Sequence, residues 1–462
     1  MYSTQGPALA VGDVNGDGLD DAYIGGGAGK PRALFLQTSA GKFTKSNQAT
    51  FNTPSQADET AALFFDADGD KDLDLLVVKG GNEFLPNDPA LADALYFNDG
   101  KGNFSLSNTF PKLLDNGSCV AAADYDRDGD LDVFVGSRMV SAQYGYSPKS
   151  HLLQNDGKGN FTDVTTQTLT NGQLGMVTDA QWTDVDKDSY PDLVVVGDWM
   201  PITVLKNQKG KFIPQTVPQS EGWWNVIEPT DIDNDGDIDF VVGNLGLNTK
   251  LKCSEKEPAE LYINDFDRNG TVEQIIVSYN PDGKPYPMVL KSDLQKVLPV
   301  INKRFVKHVD YAGQPIDALF TSDQLEGVET KKAVQAASSL LLNDGKGNFT
   351  LVALPLEAQL SPIFGIVATD YNHDGKTDLL LTGNFFDVLP EIGRYDGNDG
   401  LLLQNTGKNA SGQPTFAPVR PAQSGFAVRG QVRRMKTLRT AQGKNYVILA
   451  KNKDKVQVFG VK

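Results

Sequence analysis

Two cysteines and three histidines in 462 residues leave little material for soft-metal or thiol chemistry. Cys119 and Cys253 do not make a disulfide framework. Cys119 lies in an apolar, strand-like stretch and reads as a small packed hydrophobe; Cys253 lies in a polar loop. His151, His308 and His373 are too scattered for a zinc site or a catalytic triad. No apolar run approaches ~18 residues, so no transmembrane helix is expected. No charged-then-apolar leader follows Met1, so a signal segment is expected either in a longer parent protein or not at all. Basic residues are outnumbered, with 43 Lys+Arg against 59 Asp+Glu and a net charge of −16. That balance argues against nucleic acid, whose phosphates need a basic surface. No G-x-S-x-G, H-E-x-x-H or phosphate-binding glycine loop is present. The carboxylates outside the acidic loops, such as Asp387, Glu391 and Asp396, are weak grounds for acid–base chemistry.

What the chain has in abundance is one acidic nine-residue loop, written seven times. Oxygen-bearing side chains recur at loop positions 1, 3, 5 and 9. They are Asp13, Asn15, Asp17 and Asp21; Asp66, Asp68, Asp70 and Asp74; Asp124, Asp126, Asp128 and Asp132; and Asp184, Asp186, Asp188 and Asp192. The remaining copies hold Asp231, Asp233, Asp235 and Asp239; Asp265, Asp267, Asn269 and Glu273; and Asp370, Asn372, Asp374 and Asp378. Position 7 is expected to add a backbone carbonyl, from Leu19, Asp72, Asp130, Tyr190, Asp237, Thr271 and Lys376. Oxygens on alternate residues of a tight loop can surround a hard cation, and Ca²⁺ takes six to eight of them, so up to seven structural Ca²⁺ ions are expected. Mg²⁺ competes less well because it demands rigid octahedral geometry. The loops hold 25 of the chain's 59 carboxylates, and seven bound Ca²⁺ would bring the net charge from −16 to −2, so most of the net charge is internal to these sites. Position 6 is Gly in five copies but Lys71 and Ser189 in two, where a positive φ would be strained.

Each loop lies between short β-branched runs that read as buried strands, such as Leu75–Val78 and Leu193–Val196. Loops that close at nine residues and run into strands exclude a helix–loop–helix calcium site. A second hairpin follows in most units, as LYFNDGKGNF at 95–104, LLQNDGKGNF at 152–161 and LLLNDGKGNF at 340–349. Looser versions lie at 34–43, 204–212 and 401–416. Asn-Asp-Gly supplies the turn residues, and the Asn-Phe-Ser/Thr acceptor patterns at Asn103, Asn160 and Asn348 read as by-products of that turn. Strand, loop, strand, link, strand, turn, strand at a ~40–60 residue period predicts an all-β fold, a β-propeller of four-stranded antiparallel blades occupying 1–462 as one domain. Seven loop-bearing strand pairs and a last pair without ligands (432–438 with 446–450) favour eight blades over seven. The last unit shows three strands. Residues 280–337 carry helical signals, including capping boxes at Ser292–Gln295 and Thr321–Gln324. They are read as a helical insertion that fills a gap, or alternatively caps a binding surface. Trp199, Trp223 and Trp224 sit beside strand ends, where packing between blades competes with stacking on a ligand.

The loops and the glycine-marked strand exits (22–27, 133–136) resemble FG-GAP/VCBS repeats, which build the calcium-binding propeller of integrin α subunits and of many bacterial surface proteins. Stretches such as GPALAVGDVNGDGLDD at 6–21 and GWWNVIEPTDIDNDGDIDFVVGNLGLN at 222–248 look like secreted Bacteroidetes-type proteins that often add an ASPIC/UnbV domain, as in cartilage acidic protein; no such segment is seen here. The resemblance implies an extracytoplasmic location, with the parent protein secreted or anchored at the surface. It also implies calcium as cofactor and a binding or scaffold role toward a protein or glycan. A calcium-dependent polysaccharide lyase or hydrolase on the same scaffold is the alternative.

Overall fold

The computed structural model describes residues 5–39, 41–169, 171–388, 392–440 and 445–460. Its strands form eight antiparallel sheets. The first four are regular. Leu9–Gly12, Asp21–Ile24, Ala33–Ser39 and Lys42–Lys45 make the first sheet; Asp58–Phe65, Asp74–Gly80, Ala94–Asn98 and Phe104–Leu106 the second. Asn116–Ala123, Asp132–Met139, His151–Gln154 and Thr162–Asp163 make the third; Met176–Thr183, Asp192–Met200, Thr203–Asn207 and Phe212–Thr216 the fourth. In each, the acidic loop joins the first strand to the second.

The fifth unit departs from sequence order. Val226–Thr230 and Asp239–Gly243 pair not with the next strands of the chain but with Ser339–Asn343 and Phe349–Ala353, in the register Phe240↔Leu341 and Val241↔Leu340. The LLLNDGKGNF hairpin therefore completes the fifth sheet, about a hundred residues after its own loop. Ile363–Thr369, Asp378–Gly383, Leu401–Lys408 and Pro414–Val419 follow as a sixth, and Gln431–Arg439, Asn445–Asn452 and Gln457–Gly460 as a three-stranded last sheet.

The first strands of these seven sheets touch in chain order, and Gln431–Arg439 touches Leu9–Gly12 to close the ring. The cores confirm that order, because each lies between neighbours rather than within a sheet. Leu75 and Val77 pack with Tyr23 and Leu34 of the first sheet, while Leu76 and Val78 pack with Val133 and Val135 of the third. Burial on both faces explains why the second strands are continuous apolar runs, and each such Leu or Val contributes roughly 1.5–3 kcal/mol of burial. The closing core brings Leu438, Ile448 and Ala450 against Leu9 and Ala22. The fold is a β-propeller. Its ring order corrects the count of eight: the strand pair around the loop at Asp265 was counted as a blade, and it lies outside the ring.

That pair, Ala259–Asn264 with Glu273–Tyr279, belongs to the eighth sheet with Pro285–Pro287 and Glu329–Ala333. The excursion thus occupies the whole stretch between Gly243 and Ser339, not 280–337 alone. Its helices fall at Lys291–Val297, Val300–Arg304, His308–Tyr311, Ile316–Leu319 and Ser322–Leu325. The expected box at Thr321–Gln324 is present. The one at Ser292–Gln295 is not: Leu290 occupies the N-cap, without a side-chain cap, and Ser292 lies inside the first turn. One face of the inserted sheet carries the helices, with Ile275 and Val277 against Leu294, Leu298 and Phe305. The other face, with Leu261 and Ile263, packs on Trp199 and Trp223 of the fourth sheet.

Candidate metal loops and the opposite face

All seven acidic loops share one backbone path. Positions 4 and 6 are left-handed throughout, including Arg127, Lys187, Asn234, Arg268 and His373 at position 4 and Lys71 (φ 76°) and Ser189 (φ 74°) at position 6. The position-1 carboxylate holds the turn. Asp124 accepts from the N–H groups of Asp128 (3.0 Å) and Gly129 (3.2 Å), and Asp184 accepts from Asp188 and Ser189. Position 5 accepts from the position-7 N–H, as Asp188 does from Tyr190 at 2.8 Å. Position 9 spans two strands: Asp192 accepts from Val185 at position 2 (3.1 Å) and from Asn207 on the third strand (2.7 Å).

What remains after this internal bonding separates the loops into two sets. In five of them three acidic side chains bring one oxygen each within 4.8 Å of one another: Asp66, Asp68 and Asp70; Asp124, Asp126 and Asp132; Asp184, Asp186 and Asp192; Asp231, Asp233 and Asp239; Asp265, Asp267 and Glu273. In all five the position-3 Oδ1 (Asp68, Asp126, Asp186, Asp233, Asp267) is buried without a hydrogen-bond partner. Asp132 Oδ2 and Glu273 Oε1 at position 9 are orphaned in the same way. Several position-3 side chains are clamped by their other oxygen, Asp126 by Gln154 at 2.6 Å, Asp186 by Lys206 at 3.2 Å and Asp233 by Lys408 at 3.3 Å. Leaving buried carboxylate oxygens unpaired costs on the order of 1–3 kcal/mol each unless something else satisfies them. Convergent, oxygen-only, anionic and orphaned donors fit a hard cation.

The other two loops satisfy themselves. Asn15 donates to Asp17 Oδ2 (3.2 Å) and Asn372 to Asp374 Oδ2 (3.1 Å), and each Asn carbonyl accepts the position-5 N–H. The loop at Asp265, which departs from the pattern at Asn269 and Glu273, stands with the five. Position 7 offers more than its backbone: Asp72 and Asp130 each hold a buried side-chain Oδ1 without a hydrogen-bond partner, while Asp237 is paired with Lys187 of the preceding blade's loop.

Electrostatics point the same way. Burial, with the neighbouring aspartates adding to it, pushes Asp132 up to about 8 and Asp74, Asp239 and Glu273 up to about 7, against the backbone N–H bonds that pull each one down. The metal-free loops are crowded with charge that a cation would neutralise.

A residue type that the sequence reading took for turn chemistry has a second role. Asn98, Asn207 and Asn343 end third strands, Asn155 directly follows one and Asn405 lies within one, and each donates its Nδ2 to the position-2 carbonyl of the preceding blade's loop: Val14, Ala67, Tyr125, Val185 and Ile232. Four of the five recur before Asp-Gly or Thr-Gly, and Asn207 before Gln-Lys-Gly; the partner across the blade boundary has no such local signal. Asn103, Asn160 and Asn348 bond to Asp99, Asp156 and Asp344, as turn residues should.

Second strands leave the loops and end at the opposite face, where a cavity of about 140 Å³ opens beside the ring's axis. Arg138, Asp198 and Trp199 reach it from second-strand ends, and Phe364, Arg433 and Arg434 from first-strand starts. Leu245, Leu251 and Ile276 make the insertion one of its walls, so the excursion both fills a gap and borders a concave surface. Trp199 and Trp223 stand edge to face at 4.9 Å against the inserted sheet, rather than between blades, while Trp224 is fully buried. Down the axis, Asp179 and Glu228 share a second cavity with Arg434 and Lys436. Burial pushes Glu228 up to about 7, with Lys436 opposing the shift and Asp179 adding to it. His151 bridges Asp115 (2.8 Å) and Asp163 (3.0 Å) and so joins no metal group. Both cysteines are free, and burial pushes the Cys119 thiol up to about 12, as expected of a packed hydrophobe. Glu391 lies outside the described residues; Asp387 pairs with Lys453 and Asp396 with Arg394.

Comparison with known proteins agrees with the repeat. The FG-GAP-like repeat model matches residues 13–77, 84–135 and 184–242. No curated protein matches. Among solved structures, "YCF48 bound to D1 peptide" is similar at a TM-score of 0.45 and 8% identity, with 100% of this chain and 94% of that chain covered. The "Dos1 propeller" is similar at 0.43 and 9%, over 100% and 94%. The Vibrio cholerae biofilm matrix protein Bap1 is similar at 0.33 and 11%, over 93% and 89%. No helix among the described residues is long and apolar enough to cross a membrane.

Proposed function

We propose that this chain, a β-propeller built from FG-GAP-like repeats, is a calcium-stabilised binding or scaffold module that works outside the cytoplasm. The observation that carries the reading is the set of five buried, unpartnered position-3 oxygens, each within a three-carboxylate group on a preformed loop. Residues at positions 1, 3 and 9, joined by position 5 at Asp70 and by the side chains of Asp72 and Asp130, would hold the ions. When bound, the ion supplies positive charge that satisfies the orphaned oxygens and pins the turn between first and second strands. The side chains of the loops at Asp13 and Asp370 are already engaged with one another, so they are the weaker sites. Extracellular modules of this kind hold Ca²⁺ with Kd of roughly 10⁻⁴–10⁻³ M, which suits a calcium-rich exterior. With the ring's own ion sites on one rim and the remaining site in the inserted sheet, the opposite face of the ring is left for a ligand, a protein or a glycan.

Native mass spectrometry in millimolar calcium tests the reading by counting ions. Five retained ions, with two more at higher calcium, is the expected result; a metal-free spectrum overturns it. Fractionation of the native protein tests the location: recovery in the cytosol would remove the extracytoplasmic part.

A further inference from the structure

We propose, beyond the binding-module reading and independently of its ions, that the helical layer of the insertion docks on an anionic lipid surface. The inserted sheet lies between the ring and its own helices. Leu261 and Ile263 pack on Trp199 and Trp223 of the fourth sheet, and Ile275 and Val277 pack on the helices from the other face. The helices are therefore the outer layer of the excursion. Their inward side chains, Leu294, Leu298, Ile301, Phe305 and Tyr311, share one buried core.

The same stretch is apolar on its outer side as well. Among the described residues, five of the twelve large exposed hydrophobic side chains fall within residues 290–309: Leu290, Val297, Val300, Val306 and Val309. Val306 and Val309 are 74% and 73% exposed, so the fold gains little from their being apolar. Single exposed valines are ordinary, but five apolar residues gathered on one outer layer mark an interaction surface. Val297 and Val300 flank the turn at Pro299 between the first two helices, and Val306 and Val309 flank the start of the third.

Cations of one sign are set among these valines. Lys296, Lys303, Arg304 and Lys307 are exposed, and no carboxylate occurs from Leu294 to Val309. From Leu290 to Tyr311 five Lys or Arg stand against two Asp, in a chain of net charge −16. The two carboxylates sit at the ends of the run: Asp293 pairs with Lys296 at 2.6 Å, and Asp310 accepts from the Lys307 N–H at 3.1 Å. Asp317 and Asp323 lie on the later helices Ile316–Leu319 and Ser322–Leu325, outside the stretch that carries the valines. Arg304 donates to the Leu319 carbonyl at 3.0 Å, which holds the side chain in place and leaves its charge intact.

This pairing of chemistries selects the partner. A hydrated acidic peptide or acidic glycan would meet the lysines and leave the valines in water. An apolar protein groove would bury the valines and strand the cations. The interface of an anionic bilayer serves both, because apolar side chains enter the headgroup–acyl boundary while Lys and Arg stay with the phosphates. Lysine stems can lie along apolar surface with the ammonium group in the headgroup layer.

Cosedimentation of the full chain with vesicles of phosphatidylcholine, alone or with phosphatidylglycerol added, tests the proposal in calcium and in EDTA. The expected result is binding to the phosphatidylglycerol vesicles under both conditions, weakened by salt, with little binding to phosphatidylcholine alone. Lys303→Gln combined with Lys307→Gln is expected to weaken binding about 25-fold, at about fivefold per basic residue. Val306→Asp combined with Val309→Asp is expected to abolish it. All four side chains are exposed, so the melting curves of both variants should match the parent's. Leu85→Asp, at an equally exposed site (73%) in the second blade, should bind as the parent does. Absence of binding, equal binding to both vesicles, or binding that appears only with calcium overturns the proposal. So does binding that survives the valine changes or is lost in Leu85→Asp. Tighter binding of soluble polyglutamate than of vesicles would assign the patch to an acidic protein and overturn it as well. Ions are counted without vesicles, so failure of lipid binding and failure of the calcium reading are told apart.

Discussion

Replacing Asp126 by Asn is expected to have opposite effects with and without calcium, and the crossing is the signature of an ion site. Without metal, Asp126 is raised above the usual carboxylate range by burial and by Asp128 and Asp124, and its Oδ1 is buried and unpartnered. Neutralising it relieves repulsion, so the variant should melt at the same temperature as the parent or slightly higher. With calcium the loop loses a charged ligand. At about 2 mM calcium and Kd of roughly 10⁻⁴–10⁻³ M, one ion bound only by the folded state contributes RT ln(1 + [Ca]/Kd), about 0.6–1.8 kcal/mol. Five such loops together contribute roughly 3–9 kcal/mol. With an unfolding entropy of about 2.1 cal/mol/K per residue, 462 residues give a slope near 1 kcal/mol per degree. Excess EDTA should therefore lower the parent's Tm by roughly 3–9 °C, and Asp126→Asn should forfeit about 1–2 °C of that gain. Differential scanning calorimetry across a calcium titration measures both. A parent curve that ignores calcium, or an Asp126→Asn shift of the same sign in EDTA and in calcium, refutes the reasoning.

Ser189→Gly relieves a left-handed non-glycine residue (φ 74°) and is expected to stabilise by about 1 kcal/mol in EDTA and calcium alike; denaturant titration reads it, and a loss of stability counts against the strain. Asn207→Ala removes side-chain bonds to Tyr125 (2.7 Å) and Pro191 (3.0 Å) and is expected to cost about 2–3 kcal/mol. Hydrogen exchange should rise in the third and fourth blades together, and a rise in the fourth alone would contradict an inter-blade lock. Glu228, pushed up to about 7 by burial, keeps its proton folded at a pH where the unfolded chain has lost it. It therefore costs nothing below about pH 4.5 and progressively destabilises the fold as pH rises through 7. Glu228→Gln should match the parent at pH 4.5 and exceed it by on the order of 2–3 kcal/mol at pH 8; a difference independent of pH would refute the assignment.

The β class, the loops, the hairpins and the propeller were legible because each rests on local chemistry. Strand exits at Gly80 and Gly136 and the turn at Asn98–Gly102 announce themselves over a few residues, and position 9 lines up in every copy. What failed needed distance. The partner of Asp239–Gly243 is Ser339–Asn343, and no local signal links Phe240 to Leu341. The nearer hairpin around Asp265 was thus credited to the ring. Loop composition also hid the division between the loops, because an Asn at position 3 reads as an oxygen ligand until its amide is seen bonded to position 5. The cavity was invisible for the same reason: Arg138, Asp198 and Arg433 sit far apart along the chain, and only ring closure brings them together.

The loops also explain how ions on one rim can stabilise the whole ring. In a typical blade the position-9 carboxylate accepts from the position-2 N–H of its own loop and from the Asn N–H on its own third strand, as Asp74 does from Ala67 (2.9 Å) and Asn98 (2.8 Å). That Asn in turn donates its side chain to the position-2 carbonyl of the blade before, here Val14 at 2.8 Å. The position-2 residues Val14, Ala67, Val185 and Ile232 are thus held from both sides, by their own loop's carboxylate and by the next blade's Asn. A cation gathering positions 1, 3 and 9 would tighten both bonds at once, so the effect of one site extends to the neighbouring blade. The chain of bonds runs from the first blade to the sixth, and the last sheet has no such loop. Its seam with the first uses Arg439, whose N–H donates to Asp20 Oδ2 (2.6 Å), and Gln37, whose side chain reaches the Arg439 carbonyl at 3.2 Å. Both junctions of the last sheet, with the first and with the sixth, therefore lack the Asn bond that links the other five junctions to acidic loops, which makes them the junctions least sensitive to calcium.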